Sequence, residues 1–468
     1  MTTAMTEGHG ATDVDLELIS GSSHRTVLRL AWPTVIAMVS QSLVNEVDVV
    51  FFARLPHPEN SNAQAALLPS LIMVWLFGGS LGAISVGTQA FTARRYAERK
   101  YDDAGAVLAN AAGFCLVFGI ALSVLGWFTI YGLLGRMLRE VPAAHAIGYS
   151  YSKWRLLGIV SMSMTMALKA FFDGIGKTWV HLVAALVMNV CNILLCWMFI
   201  FGRLGAPRMG APGAGLAAFL ATWIGFGIMA AYAARERGKF HPVRWSNLSL
   251  TLTWNILKLS IPAALATIVM MIGFSLFARV AGKLDAGLHE AVNGAATTDI
   301  VEILKLTFTA CLGFGTATAT LVAQSLAARR PDDATRFGWA SVRLGLVIFG
   351  VVGLMEGVLF TPQIVHFFSH SEAVRQVMMT PMRMMGIVTP IIAVAMILSE
   401  ALFGAGAPKF VAVAQFCLVF GVLVPIAWLG GMHFGLVGMW TAAVVYAICA
   451  AVVMLLKFRG GTWKSIKL

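Results

Sequence analysis

The segment 89–95 reads QAFTARR, and the segment 324–330 reads QSLAARR. Each copy is followed by the triplet Asp-Asp-Ala, first at 102–104 and again at 332–334. Such copies recur at a spacing of roughly 225 to 235 residues, which is about half the chain. This repetition predicts that the two halves of the chain share one architecture.

Other short motifs recur in the same order in both halves. They are 28–33 with 257–262, 155–159 with 383–387, 172–177 with 403–409, and 210–213 with 435–438. Most of these blocks carry a basic residue, a proline or a glycine, which are residues that mark the ends of membrane spans. Internal duplication of this kind is typical of transporters.

The composition indicates a membrane protein. Charged residues make up 12% of the 468 residues, about half the share in an average soluble domain, and the mean hydropathy is +0.79. Apolar stretches of about 18 residues or more recur along the chain and are long enough to cross a bilayer as helices. These features exclude a set of ordinary soluble domains and make membrane lipids partners of the chain.

The chain contains about twelve predicted membrane spans. They lie near 31–53, 66–91, 105–131, 147–171, 179–201, 212–233, 255–282, 291–327, 337–361, 375–401, 411–430 and 436–457. The eighth is long enough to tilt or break near Gly313 and Gly315. Because about six spans per half is an even number, both halves insert in the same orientation. We expect an all-α polytopic membrane protein with two parallel six-helix lobes, related by pseudo-two-fold symmetry, and a cavity between the lobes.

The predicted domains follow from these spans. They are a mobile N-terminal tail at 1–24, an N-lobe at 25–234, an inter-lobe linker at 235–254, a C-lobe at 255–457 and a C-terminal tail at 458–468.

Lysine and arginine are concentrated in alternate connections, which is the bias of cytoplasmic loops. The richer connections include 94–100, 235–244, 329–336 and 457–467. We therefore place both termini in the cytoplasm and the protein in the plasma (inner) membrane. The net charge of +12 follows mostly from this bias, and it favours contact with anionic lipids. We therefore do not interpret it as a sign of nucleic-acid binding and expect no nucleic-acid partner.

Several of these blocks resemble one known family, the multidrug and toxic compound extrusion (MATE) transporters. The similar segments are FFDGIGKT at 171–178, MNVCNILL at 188–195, VDVVFFARL at 47–55, LGFG at 312–315 and GAG at 404–406. The resemblance covers nearly the whole chain from about residue 23 onward and implies a secondary antiporter that works by alternating access without a cofactor. It also implies export of amphiphilic, often cationic small molecules in exchange for protons or sodium. Flippases of lipid-linked saccharides share this architecture and are the rival at the level of substrate. We expect a monomer.

Polar residues in the first span form one helical face. Gln41, Asn45 and Asp48 are spaced i, i+4 and i+7, so they project in one direction, which we take to be the interior of the lobe. Burial disfavours a charged carboxylate, and Asp48 matches the aspartate of the family's first span. We therefore predict that Asp48 binds the coupling proton. The alternative is an ionised Asp48 near the water interface.

The fifth span contributes Asn189 and Asn192, spaced i, i+3 and able to reach the first span. The chain departs here from family members with a cation site in the first lobe: Cys196 replaces their aspartate, and Ala218 replaces a threonine of the sixth span. Sodium, like calcium, prefers oxygen ligands, so these losses favour protons over sodium. The alternative for both asparagines is a buried structural role.

Three carboxylates are candidates for the substrate cavity. Glu46 lies nearly opposite Asp48 on the helix and is predicted to face the space between the lobes, where it would attract a cation or form an ion pair. The seventh span has Met270 where another branch of the family has a glutamate. In the eighth span, Asp299 and Glu302 are the candidates, although a Glu302–Lys305 ion pair would neutralise itself.

The remaining polar residues receive structural interpretations. Gly174, Gly176, Gly404 and Gly406 are predicted to be turn glycines that flex as the lobes rock. Lys169 and Glu400 are expected to snorkel at span ends, and Asp173 to lie in a loop. His366 and His370 are spaced like metal ligands but lack a third partner, so no metal is expected.

An intramembrane enzyme is the alternative from another functional class. It would need a nucleophile with a base, or a metal, at membrane depth. The sequence contains no HExxH, no GxSxG and no GxxxxGK[ST] motif. We therefore predict no catalytic residues and no enzymatic activity.

Overall fold

The computed structural model describes residues 22–56, 59–138, 142–241, 248–285, 292–368 and 372–466, and its regular structure there is helical. The N-lobe helices are α1 (Ser23–Ala53), α2 (Glu59–Phe77), α3 (Ile84–Ala97), α4 (Tyr101–Met137), α5 (Pro142–Leu157), α6 (Ile159–Gly174), α7 (Thr178–Phe201) and α8 (Ala211–Arg235). After the short α9 (Arg237–Phe240), the C-lobe helices are α10 (Leu250–Leu284), α11 (Val292–Ala327), α12 (Pro331–Leu354), α13 (Thr361–Phe368), α14 (Glu372–Gly404), α15 (Pro408–Leu418) and α16 (Val424–Gly460).

These helices account for the predicted twelve spans. Eight helical runs are long and apolar enough to cross a membrane, and two bent pairs, α2 with α3 and α5 with α6, raise this number to ten. The run Pro408–Gly460 counts twice because the backbone turns at Gly435. The twelfth span in this count is α1, the first helix of the chain, whose 31 residues give a length of about 46 Å. The prediction of a two-lobe, twelve-helix fold is confirmed.

The repeat is visible in the backbone angles. Gly210 (φ 61°, ψ −144°) directly precedes α8, and Gly435 (φ 61°, ψ −149°) breaks α16. This conformation is open only to glycine. Arg99 and Arg329 form a second equivalent pair, with φ of 57° and 56° in the turns after α3 and α11.

These turns correct the register of the repeat. Arg99 and Arg329 each lie two residues after the end of α3 or α11, so the helices match at a spacing of about 230 residues, whereas QAFTARR and QSLAARR match at about 235. Arg94, which lies within the first motif, is therefore the structural equivalent of Gln324.

Side chains at this equivalent position join the two lobes. The Arg94 guanidinium donates to the carbonyl of Ala405 (2.9 Å) and to that of Ile466 (3.1 Å). In the opposite direction, the Gln324 amide donates to the carbonyl of Gly174 (2.7 Å). We call these contacts of Arg94 and Gln324 the latch. The terminal face is the side of the bundle that contains the latch and both ends of the described chain.

Helix α11 carries most of the interface between the lobes. The amide of Gln89 on α3 donates to the Thr316 carbonyl (2.9 Å) and to Thr320 Oγ1 (2.8 Å), and Thr320 Oγ1 donates to the Asp173 carbonyl (2.9 Å). The predicted break near Gly313 and Gly315 is wrong, because α11 runs unbroken through both. The missing side chains admit neighbours instead: a Cβ on Gly313 would lie 3.1 Å from Val35 Cα of α1.

Helix α1 belongs to both lobes. Near its start, Val27, Leu30 and Ala31 are buried against a C-lobe cluster that includes Phe314. Near its end, Phe52 is buried in an N-lobe cluster. The helix therefore connects the interior of the N-lobe with the surface of the C-lobe.

Other predicted boundaries fall at or beyond the limits of the described residues. Residues 1–21 of the predicted N-terminal tail and 242–247 of the linker lie outside them. In the predicted C-terminal tail, Thr462–Ser465 forms a 3-10 turn whose Trp463 is fully buried on Phe458.

Backbone contact at Gly404 gives a first prediction. A Cβ on Gly404 would lie 2.2 Å from the carbonyl oxygen of Ala319, so Gly404→Ala should destabilise the protein by about 1–3 kcal/mol through overpacking. The measurement is the melting temperature of the purified protein in detergent. Gly350→Ala is the control, because nothing lies within 4 Å of that position. Equal melting temperatures for the two variants would contradict the close packing of α14 on α11.

Candidate functional site

Asp48 is a buried carboxylate inside the N-lobe. It lies on α1 with 8% of its surface exposed. The Tyr151 hydroxyl of α5 donates to Oδ2 over 3.4 Å, and the Cys196 thiol of α7 donates to Oδ1 over 3.6 Å. The contact from Tyr151 is long and a thiol is a weak donor, so the carboxylate is only weakly satisfied by its neighbours.

The carboxylate lines a cavity of about 40 Å³. The wall consists of Gln41, Asp48, Arg155, Met188, Asn189, Asn192, Ala218, Ala221 and Thr222. About 10–15 Å³ is enough to hold one water molecule, so the cavity can hydrate a carboxylate or a proton-transfer path. Gln41, Asp48, Asn189 and Asn192 thus surround one space, and their role in coupling stays a prediction.

Contacts between α1 and α7 set the position of this cavity. Ala37 packs against Leu182 and Ala185, which allows the helices to approach closely. The Asn189 amide donates to Ser40 Oγ (2.9 Å), while its Oδ1 is buried without a partner. A water in the cavity is the natural donor for such an atom.

Arg155 is a member of this site that the sequence analysis did not identify. It lies on α5, lines the cavity and acts electrostatically on Asp48. Its guanidinium carbon lies 5.9 Å from the centre of the Tyr151 ring. The available signal was an arginine inside a predicted span, because intramembrane cations usually face a partner or a polar cavity.

Opposite effects act on the Asp48 charge. Burial disfavours the carboxylate anion, and the Arg155 guanidinium favours it. The site can therefore hold Asp48 either protonated or ionised opposite Arg155. Cys196 and Ala218, the two departures from the family's oxygen ligands, lie in contact with Asp48 and in the cavity wall, respectively.

The other predicted site residues lie elsewhere. The side chains of Asn45 and Glu46 are outside the described part of the structure. Glu302 and Lys305 form an ion pair (2.9 Å) with about two fifths of each side chain exposed. Asp299 is half-buried on the same helix. None of these three lines the Asp48 cavity, and a role in substrate binding stays a prediction.

The four loop glycines fall into two types. Gly176 and Gly406 have φ angles of 79° and 85° in the turns after α6 and α14, which favour glycine. Gly174 and Gly404 are the last residues of those helices and are packed against backbone atoms. Flexing at these positions stays a prediction.

No group of residues in the described ranges is arranged to hold a metal ion. His366 Nδ1 contacts the Arg375 guanidinium (2.6 Å), and His370 lies outside those ranges.

Two structural interpretations of charged residues were wrong. Asp173 lies in α6 and is fully buried, whereas a loop position was expected. Lys169 does not snorkel: its side chain is 13% exposed and its Nζ lies 2.7 Å from Asp173 Oδ2. An ion pair therefore stands at the lobe interface beside α11.

Two lobes of membrane-spanning helices with the same internal order, one of which encloses a buried polar cavity, are typical of a membrane transporter rather than an enzyme. The sequence model of the MatE family matches residues 33–198 and 262–429, one stretch in each half. The chain belongs to the MatE family.

Relatives and solved structures agree with this assignment. The probable multidrug resistance protein NorM of Thermotoga maritima is 24% identical over 94% of this chain and 93% of its own length. The protein of the same name from Mesorhizobium japonicum is 26% identical over 71% and 70%. An outward-facing multidrug resistance MATE family transporter has the same fold, with a TM-score of 0.85 at 22% identity over 95% of this chain and 97% of that one. A transporter of the MOP superfamily from Pyrococcus furiosus gives a TM-score of 0.85 at 21% identity over the same shares.

The contact between Cys196 and Asp48 gives a second prediction. Cys196→Asp would place two carboxylates beside one cavity and create an oxygen-rich cation site. We expect sodium chloride to raise the melting temperature of this variant by at least about 2 °C relative to choline chloride, because a bound ion stabilises the folded state.

The neutral variant Cys196→Asn is the matched control and should respond equally to both salts. A Cys196→Asp protein that does not distinguish sodium from choline would show that this side chain does not share a site with Asp48.

Proposed function

We propose that the chain exports amphiphilic, cationic small molecules across the plasma membrane in exchange for protons. The position of Asp48 carries this proposal: the carboxylate is buried in the N-lobe, on a helix whose other end packs on the C-lobe. The names of the NorM relatives, which describe multidrug resistance proteins, support the choice of substrate class.

Protonation of Asp48 would change its partners. The ionised carboxylate is stabilised by Arg155 across the cavity, whereas the acid can donate a hydrogen bond, for example to the Asn192 amide oxygen, which also faces the cavity. Either change acts on α1, which contains Pro33 within the region that packs on the C-lobe, between Ala31 and Val35. Because proline removes one hydrogen bond of a helix, α1 can bend there and transmit the change to the C-lobe.

Protons are favoured over sodium by the chemistry of the cavity. The Cys196 thiol and the Ala218 methyl group replace two oxygen ligands, and the Arg155 charge repels a metal cation. A sodium-coupled exporter is the alternative. Export of an amphiphilic lipid precursor is the alternative at the level of substrate.

The positive charge of the connecting loops supports a cytoplasmic terminal face. With that orientation, the latch between Arg94, Gln324 and their carbonyl partners closes the cytoplasmic side. The described state would then release substrate outward, and opening of the latch would admit substrate from the cytoplasm. Relatives solved in several conformations support such alternating access.

The proton gradient has sufficient energy for this exchange. One charge that crosses the membrane potential provides about 2.3 kcal/mol per 100 mV, and a pH gradient adds about 1.4 kcal/mol per unit. About one or two protons per substrate can therefore drive concentrative export without ATP.

Uptake into inverted membrane vesicles gives a third prediction. The wild type should accumulate a fluorescent lipophilic cation when a pH gradient is imposed without sodium. Asp48→Asn cannot exchange this proton. Its ratio of inside to outside cation concentration should therefore be lower than that of the wild type, by about tenfold for each pH unit imposed. Asp332→Asn, at an exposed carboxylate, is the control and should behave as the wild type.

Two outcomes would contradict the proposal. Wild-type uptake that requires sodium would establish the sodium alternative, and uptake by Asp48→Asn with unchanged pH dependence would remove Asp48 from the mechanism. An absence of cation uptake by the wild type would redirect the search to lipid-like substrates.

A further inference from the structure

A second polar cluster lies at the interface of the lobes, apart from the Asp48 cavity. It contains Lys169 and Asp173 on α6, His181 on α7 and Glu400 on α14. Lys169 is the charge that acts electrostatically on both His181 and Glu400. The cluster therefore combines residues of the N-lobe with one carboxylate of the C-lobe.

Helix α11 brings these residues together. Thr320 Oγ1 donates a hydrogen bond to the Asp173 carbonyl (2.9 Å), which holds the end of α6 against α11. Little more than one turn earlier, Gly315 makes room for Glu400: a Cβ there would lie 2.7 Å from Glu400 Cγ. Asp173 and Glu400 thus approach the same region of α11 from opposite lobes.

The polar atoms of this cluster are incompletely satisfied. Asp173 is fully buried, and its Oδ1 has no hydrogen-bond partner. His181 Nδ1 is buried and likewise has no partner. Glu400 is half-buried, and within the described ranges its carboxylate makes neither a hydrogen bond nor an ion pair. Buried polar atoms without a partner are rare in folded proteins, and a functional site is one reason for them.

The charges of the cluster do not cancel. Lys169 neutralises Asp173 through the 2.7 Å ion pair. Ionised Glu400 therefore gives the cluster a net charge of −1, and the Lys169 charge that it shares with Asp173 offsets the cost of its burial only in part. A positively charged ligand would compensate it.

We propose that Glu400 binds the positively charged group of the exported molecule, and that Lys169 lowers the affinity for this group when the lobes close at the terminal face. The inference rests on the proposed function, because it assumes a cationic substrate. Lys169 belongs to the N-lobe and Glu400 to the C-lobe, so separation of the lobes withdraws the lysine and leaves Glu400 free for a substrate cation. Closure returns the Lys169 charge, which competes with that cation and favours its release.

Asp173 is a positioning residue in this arrangement. Its Oδ2 holds the Lys169 amine, and its carbonyl is held by Thr320. Lys169 and Asp173 lie on the same helix, so the amine moves with α6 and away from Glu400 when the lobes separate and the Thr320 hydrogen bond breaks.

Equilibrium binding of tetraphenylphosphonium to the purified full-length protein tests the inference. Glu400→Gln should weaken binding at least about tenfold, because it removes a charged partner, and Glu400→Asp should restore most of the affinity. Lys169→Met should tighten binding, because the competing charge is gone. Glu372→Gln, at an exposed glutamate of the same helix, is the control and should bind as the wild type.

The opposite directions of the two effects separate this role from a structural one. If the cluster only stabilised the fold, Lys169→Met would lower the melting temperature without raising affinity, and that result would overturn the inference. Unchanged binding by Glu400→Gln would overturn it as well. A wild-type protein that binds no tetraphenylphosphonium would instead contradict the proposed cationic substrate.

Discussion

The close approach of α11 to helices of both lobes is the constraint on which the rest of the structure depends. Between membrane helices, packing and hydrogen bonds replace the hydrophobic effect as the source of association. Gly313, Gly315 and Ala319 admit the neighbouring helices, and Thr320 and Gln324 then reach the end of α6. A larger side chain on this surface would push the lobes apart. It would also separate the residues that form hydrogen bonds between the lobes.

The two halves keep one architecture but divide the chemistry unequally. Arg94 and Gln324 occupy equivalent positions, and both donate to a backbone carbonyl at the end of a helix of the other lobe. By contrast, the matched ranges begin at 33 and 262, which aligns Asp48 with Phe277, a buried ring that packs on Trp440. Each lobe therefore uses the equivalent residue to hold the other lobe, whereas the buried carboxylate at the position of Asp48 is present in one lobe only.

The sequence was sufficient for the spans, the duplication and the polar face of the first span, because hydrophobic length and helical periodicity are local properties. It was also sufficient to predict that Gln41, Asp48, Asn189 and Asn192 lie together. It did not reveal Arg155 beside Asp48 or Glu400 near Lys169, since these pairings depend on how distant helices are rotated and tilted. The register of the repeat was misjudged because two similar motifs match about five residues away from the true alignment, and only the turns after the helices resolve it.

The unequal continuity of equivalent helices has a mechanical consequence. In the N-lobe, α2 and α3 meet at 47° and α5 and α6 at 44°, whereas their C-lobe equivalents, α11 and α14, run without interruption. Deformation concentrates where backbone hydrogen bonds are already missing, so we expect these two joints of the N-lobe to bend more readily than the unbroken α11 and α14.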